Sequence, residues 1–382
     1  MLNTEVFIYM NEIYSDSAVK IQHVPPINPL NPFNNPTENE KYNSDYADIV
    51  PQISIPGCEI PFEPSKPEKK RIRRYFNIAG SWLLIHFAAI NILAFLSFAI
   101  IKLALSKNAS DTDLPSIYKY ISSSAIYLGM TGLIFLVCNL LTFFFGCKTA
   151  KIKISSLFQT ESIRLPKMLQ YISIAFMLQY LSSLIALAIQ YLCPDLNLIS
   201  NALDTQNMTS RAYIAFAVYS CIIAPITEEL LYRGFVLKTC SRVSQRFGIF
   251  ISAVLFGLAH GNVTQFILAF LIGVFMAHID IKHNSLFPSI CVHFCVNTLS
   301  TVAGFFLNND SQTALFVLGI FEIGMFITGI VMLIFFRRKN KLPFTMPHQK
   351  IRGGSVAVTS WAIIVCFVLF LLQFTVNLFN FS

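Results

Sequence analysis

Apolar segments follow one another along most of the chain, at about 79–105, 120–146, 168–192, 211–233, 247–261, 263–280, 285–307, 313–336 and 356–380. Polar and charged residues are confined largely to the joins between them. Most segments reach the roughly 20 apolar residues that a helix needs to cross the hydrocarbon core. The pattern predicts an all-α fold, a polytopic membrane helix bundle of about nine transmembrane helices. The fifth and sixth segments are short and meet at His260-Gly261-Asn262. They read either as a tight hairpin of tilted helices or as two full crossings. No internal repeat is evident.

Residues 1–75 are a different material. Ten of the 17 prolines lie between Pro25 and Pro67, among Asn, Ser and Asp. Such a stretch buries too little apolar surface to offset its ordering entropy, so a disordered N-terminal tail is expected. It lacks the basic start and apolar core of a signal peptide. It closes on Lys66, Lys69, Lys70, Arg71, Arg73 and Arg74.

Composition agrees with a bilayer. Of the 382 residues 54% are hydrophobic and 13% charged, against about 25% charged in soluble domains. This excludes a cytosolic enzyme, a secreted disulfide scaffold and a nucleic-acid-binding domain; no nucleic-acid partner is expected. The net charge of +8 is placed in alternate loops. Lys148, Lys151, Lys153, Arg164 and Lys167 fill one, Arg233, Lys238, Arg242 and Arg246 another, and Arg337, Arg338 and Lys339 open a third. The intervening loops hold Asp111 and Asp113, Asp195 and Asp204, and Asp310. The positive-inside rule then predicts a multi-pass protein of the cell membrane, N-terminus cytoplasmic and C-terminus outside. The nine cysteines form no C-x-x-C pair and read mainly as small apolar residues. Cys291 and Cys295 share a helix face.

Ionisable groups inside spans cost about 2.5–3.5 kcal/mol each at the bilayer centre, and are functional candidates by default. Most fall between 228 and 297. In Thr227-Glu228-Glu229-Leu230-Leu231-Tyr232-Arg233, Glu229 and Arg233 are four residues apart on one helical face and can pair. Glu228 is rotated by about 100° and lacks that partner. One carboxylate is thus neutralised and the other is left for chemistry. Phe256 precedes His260 by one turn, and His293 precedes Asn297 by one turn, so each pair shares a face. His86, His278 and His283 belong to no motif and read as packing or interfacial residues.

The ordered set E-E-x-x-x-R, F-x-x-x-H and H-x-x-x-N, each on its own apolar helix, resembles the CPBP family of intramembrane proteases. That family includes the type II CAAX prenyl endopeptidases and the Abi, or bacteriocin-processing, proteins. Gly234-Phe235 and Asn284-Ser285-Leu286-Phe287-Pro288-Ser289 resemble its pattern too. The resemblance covers roughly 211–300. It suggests a division into the 1–75 tail, N-terminal helices over 76–210, a catalytic core over 211–307 and C-terminal helices over 308–382.

The resemblance implies an intramembrane endopeptidase acting on a peptide or membrane-protein substrate, lipidated or membrane-associated. Glu228 would be the base for the attacking water and His260 its second base or proton shuttle. His293 and Asn297 would be donors to the oxyanion, with Glu229, Arg233 and Phe256 in support. No cofactor is implied. Zinc held by Glu228, His260 and His293 is the rival arrangement, since two His and one Glu can form a catalytic site, although no H-E-x-x-H is present. Two other functions compete: a bacteriocin-immunity or binding protein of the same fold without essential proteolysis, and a transporter. The transporter would show repeated halves and broken helix pairs.

Overall fold

The computed structural model describes residues 64, 66–106, 121, 124–158, 163–194, 208–243, 245–309, 311–339 and 353–379. The expectations for residues 1–63, Cys58 and the acidic loop positions Asp111, Asp113, Asp195, Asp204 and Asp310 lie outside the described residues or at their margin. The described elements are helical. They are α1 (Lys66–Ser106), α2 (Ala125–Ala150), α3 (Leu165–Leu192), α4 (Ser210–Cys240), α5 (Gln245–Leu258), α6 (Val263–His283), α7 (Phe287–Asn308), α8 (Gln312–Lys339), the short α9 (Gly354–Val358) and α10 (Trp361–Phe379). No strand occurs among the described residues beyond one isolated bridge, Phe158 to Ser285.

Seven of these helices are long and apolar enough to cross a membrane: α1 to α4 and α6 to α8. The fifth and the last apolar segments form shorter helices, α5 and α10. The sixth, expected to be short, is a full-length helix of 21 residues. The protein is a polytopic helical bundle of the membrane. Helix α1 starts at Lys66, before the boundary expected at 75, so the basic cluster belongs to its first turns. The reason is packing. Ile72, Phe76, Ala79 and Leu83 recur on one face and are all fully buried, which draws the helix back beyond its apolar span.

Helix α4 is the centre. It packs on α2, α5 and α7, and from Glu229 to Val243 the chain is buried. Around it, α1 lies between α2 and α10, α3 pairs with α8 and α6, and α5 and α6 run side by side. Their turn needs Gly261, whose φ is +69°. Arg242 Nη2 donates to the Ala150 carbonyl at 2.8 Å, and its guanidinium lies 4.1 Å from the Tyr75 ring centroid. Leu286 N–H donates to the Leu157 carbonyl at 3.0 Å. These contacts gather the start of α1, the ends of α2 and α4 and the start of α7 at one end of the bundle, with basic residues from three loops.

Pro225 disturbs α4 where the candidate carboxylates begin. A proline inside a helix has no N–H and crowds the carbonyl four residues back. The helix responds with a π turn over Tyr219–Ile223, in which Ala224 N–H reaches the Tyr219 carbonyl. A regular α turn over Ala224–Glu229 follows, then a second π stretch over Leu230–Leu237. Such π turns re-aim side chains and are frequent at functional sites.

Candidate active site

Glu228, Phe256, His260, His293 and Asn297 come from three helices and line one cavity of about 940 Å³. Glu228 lies on the regular turn of α4 between the two π stretches. His260 follows the last turn of α5, and His293 and Asn297 project from α7 into the same space. Glu229 and Arg233 do not line it. Both are wholly buried behind it, because the helical rotation that opens Glu228 to the cavity turns Glu229 inward.

The buried pair is close but not ideally aligned. Arg233 Nε lies 3.2 Å from Glu229 Oε2, and the contact is an ion pair without good hydrogen-bond angles. The guanidinium also stacks 4.2 Å from the Phe256 ring centroid. Gly273 makes room for it on α6, since a Cβ there would stand 3.2 Å from Arg233 Nη2. Phe256 is thereby a hub. Its ring meets His260 edge-on at 4.9 Å, His293 at 5.9 Å and Tyr232 at 5.0 Å.

Hydrogen bonds orient both imidazoles. His260 Nδ1 donates to the Phe256 carbonyl at 2.8 Å, and a carbonyl only accepts, so neutral His260 presents an unprotonated Nε2. His293 Nδ1 lies 2.8 Å from Glu229 Oε1. With Glu229 ionised beside Arg233, that nitrogen carries the proton and Nε2 is turned toward Glu228, 3.9 Å from Oε2. This distance is too long for a direct hydrogen bond.

Asn297 is tied to the irregularity in α4. In the π register the Ser220 carbonyl would look to residue 225, and proline offers no N–H. Asn297 Nδ2 supplies one instead, donating to that carbonyl at 2.8 Å. One N–H of the Asn297 amide is thus used within the fold, and the other is not committed by this bond.

Among the described residues no three His, Cys, Asp or Glu side chains are grouped so that they could hold a metal ion, and this includes Glu228, His260 and His293. Cys291 and Cys295 are free thiols. His278 and His283 pack against aromatic rings at α3, α6 and α8, where His283 Nε2 pairs with the Tyr171 hydroxyl at 2.7 Å.

Four residues in or around the cavity were not singled out by the motifs. His86, read as packing, lines the cavity and is hydrogen-bonded to Asn139, which lines it too. Asn139 in turn donates to Thr227 beside Glu228. Asp280 is fully buried and accepts the Ser289 N–H at 3.1 Å, one turn before His293. The available signal was polarity at membrane depth, which applies to an Asn or His in α1 and α2 as much as to the motif residues.

Comparison with known proteins agrees with the motif set. Residues 210–299 match the family model described as type II CAAX prenyl endopeptidase Rce1-like. No curated protein and no solved structure matches the chain. The match spans α4 to the greater part of α7, the helices that contribute Glu228, His260, His293 and Asn297. Over that segment the multi-pass membrane protein is similar to the family.

Proposed function

We propose, from a CAAX-endopeptidase-like segment set in a membrane bundle, that this protein is an intramembrane endopeptidase. It hydrolyses a peptide bond of a lipidated or membrane-associated substrate with a water activated by Glu228. The observation that carries the reading is the convergence of Glu228, His260, His293 and Asn297 on one cavity while Arg233 is spent on Glu229. Glu228 keeps limited access to that cavity, with its side chain 18% exposed, as a base that must reach water requires. His260 Nε2 is an acceptor and assists as second base or shuttle to the leaving amine. With Nδ1 held by Glu229, His293 donates to the oxyanion from Nε2 as the imidazolium. The uncommitted N–H of Asn297 is the second donor. The chemistry needs no metal in this reading, and the N-terminus faces the cytoplasm, with the basic end of the bundle.

The test uses the purified full-length chain in nanodiscs and a quenched fluorescent peptide with a prenylated C-terminal cysteine, beside the same peptide unlipidated. The wild type should cleave the lipidated peptide. Glu228→Gln keeps volume but removes the base, and should lower kcat by about 10²-fold or more at unchanged thermal stability. Near-normal turnover by Glu228→Gln would end the assignment of the base. Cleavage of neither peptide by the wild type would end the assignment of the substrate class.

A further inference from the structure

His86, Asn139 and Thr227 form a hydrogen-bonded chain across three helices, ending beside Glu228. His86 Nε2 and Asn139 Oδ1 are 2.6 Å apart, Asn139 Nδ2 donates to Thr227 Oγ1 at 2.8 Å, and Thr227 Oγ1 donates to the Ile223 carbonyl at 2.9 Å. All three side chains are buried, and His86 and Asn139 line the same cavity as Glu228.

The direction of the chain follows from its last link. The Ile223 carbonyl only accepts, so the Thr227 hydroxyl proton goes there and Thr227 must accept from Asn139. The nitrogen of the Asn139 amide therefore faces Thr227 and its oxygen faces His86. His86 must then carry its proton on Nε2. Each link then has one compatible orientation, and a continuous run of buried hydrogen bonds holds the three side chains rigidly.

Its location gives it a task. The Ile223 carbonyl ends the π turn that Pro225 imposes, and Glu228 projects from the next turn. A helix that has lost a regular hydrogen bond at Pro225 is held there from outside, by α1 and α2. We infer that His86, acting through Asn139 and Thr227, is a positioning residue for Glu228, so that the candidate active site includes two helices outside the matched segment. The inference rests on the reading of Glu228 as the base.

Paired substitutions test it. Thr227→Val keeps the shape of the side chain but removes the hydroxyl; Thr227→Ser keeps the hydroxyl. In His86→Gln the amide nitrogen stands where Nε2 does and can still donate to Asn139; in His86→Asn the amide is too short to reach. With the lipidated peptide as probe, Thr227→Val and His86→Asn should lower kcat by about tenfold or more at unchanged KM, the effect expected of a misplaced reacting group. Thr227→Ser and His86→Gln should recover most of it. Equal loss in His86→Gln and His86→Asn would overturn the inference, because His86 would then act by its own ring. Unchanged kcat in Thr227→Val and His86→Asn would overturn it as well. Should Thr227→Val fail to purify, the His86 pair carries the same comparison.

A second arm needs no substrate, and so separates failure of this inference from failure of the proposed activity. Dicyclohexylcarbodiimide labels carboxyl groups in apolar surroundings, and the rate of labelling at Glu228 is read by mass spectrometry. The rate should change in Thr227→Val and return in Thr227→Ser. One rate in all three proteins would show that the chain does not set the environment of Glu228.

Discussion

Glu229 Oε1 and His293 Nδ1 are 2.8 Å apart, and both side chains are buried. The bond gives one histidine two different nitrogens: Nδ1 is held by a carboxylate that is itself paired with Arg233, and Nε2 is turned to the cavity and Glu228. Two adjacent glutamates therefore flank a single imidazole in different ways. Rotation of about 100° per residue along α4 is what separates them.

The buried charges make the support residues testable by stability. Arg233→Met leaves Glu229 without its cation, and breaking a buried pair in this way costs about 3–5 kcal/mol. The thermal midpoint in detergent should fall accordingly. Adding Glu229→Gln should restore part of it, because the Gln carbonyl still accepts from His293 Nδ1 and no charge is left stranded at that position. A double variant as unstable as the sum of the two single variants would show that the pair is not the unit.

Phe256→Leu removes the ring on which Arg233, His260 and His293 converge. The loss of a desolvated cation–π contact is worth about 2 kcal/mol, and the thermal midpoint should fall. Activity should fall more than stability does, because the edges of both imidazoles lose their support. A variant with a lowered midpoint but normal kcat would restrict Phe256 to packing.

Gly261→Ala tests the turn that carries His260. The left-handed backbone at φ +69° costs a residue with a Cβ about 1–2 kcal/mol. The added Cβ would also stand 3.0 Å from Asn377 Nδ2, which donates to the Gly261 carbonyl at 2.9 Å. The variant should be less stable and less active. Full activity at full stability would mean that neither the turn nor its tie to α10 holds His260.

Metal dependence separates the two mechanisms raised by the motif residues. A zinc site would need Glu228, His260 and His293 at about 2.0–2.2 Å from one ion. Activity should survive exhaustive chelation, and elemental analysis of the purified protein should find no stoichiometric zinc. Loss on chelation with recovery on adding zinc alone would overturn the glutamate mechanism and make the two histidines ligands.

The helical membrane class, seven of the nine expected spans and the positions of the motif residues were legible in the chain alone because both signals are local. Long apolar runs must become helices in lipid, and a charge within them is expensive enough to mark function. The pairing of Glu229 with Arg233 was legible for the same reason, since four residues on a helix bring them to one face. Three further facts required the tertiary structure. Lys66 begins α1 because Ile72 and Phe76 find a buried place, which no local pattern states. The Asn297 amide is engaged because Pro225 displaces a carbonyl on another helix. His86 and Asn139, 53 residues apart in sequence, look like isolated polar residues until α1 and α2 bring them to Thr227. Helical periodicity decides which side a residue faces, but the partner on that side is chosen by how the helices pack.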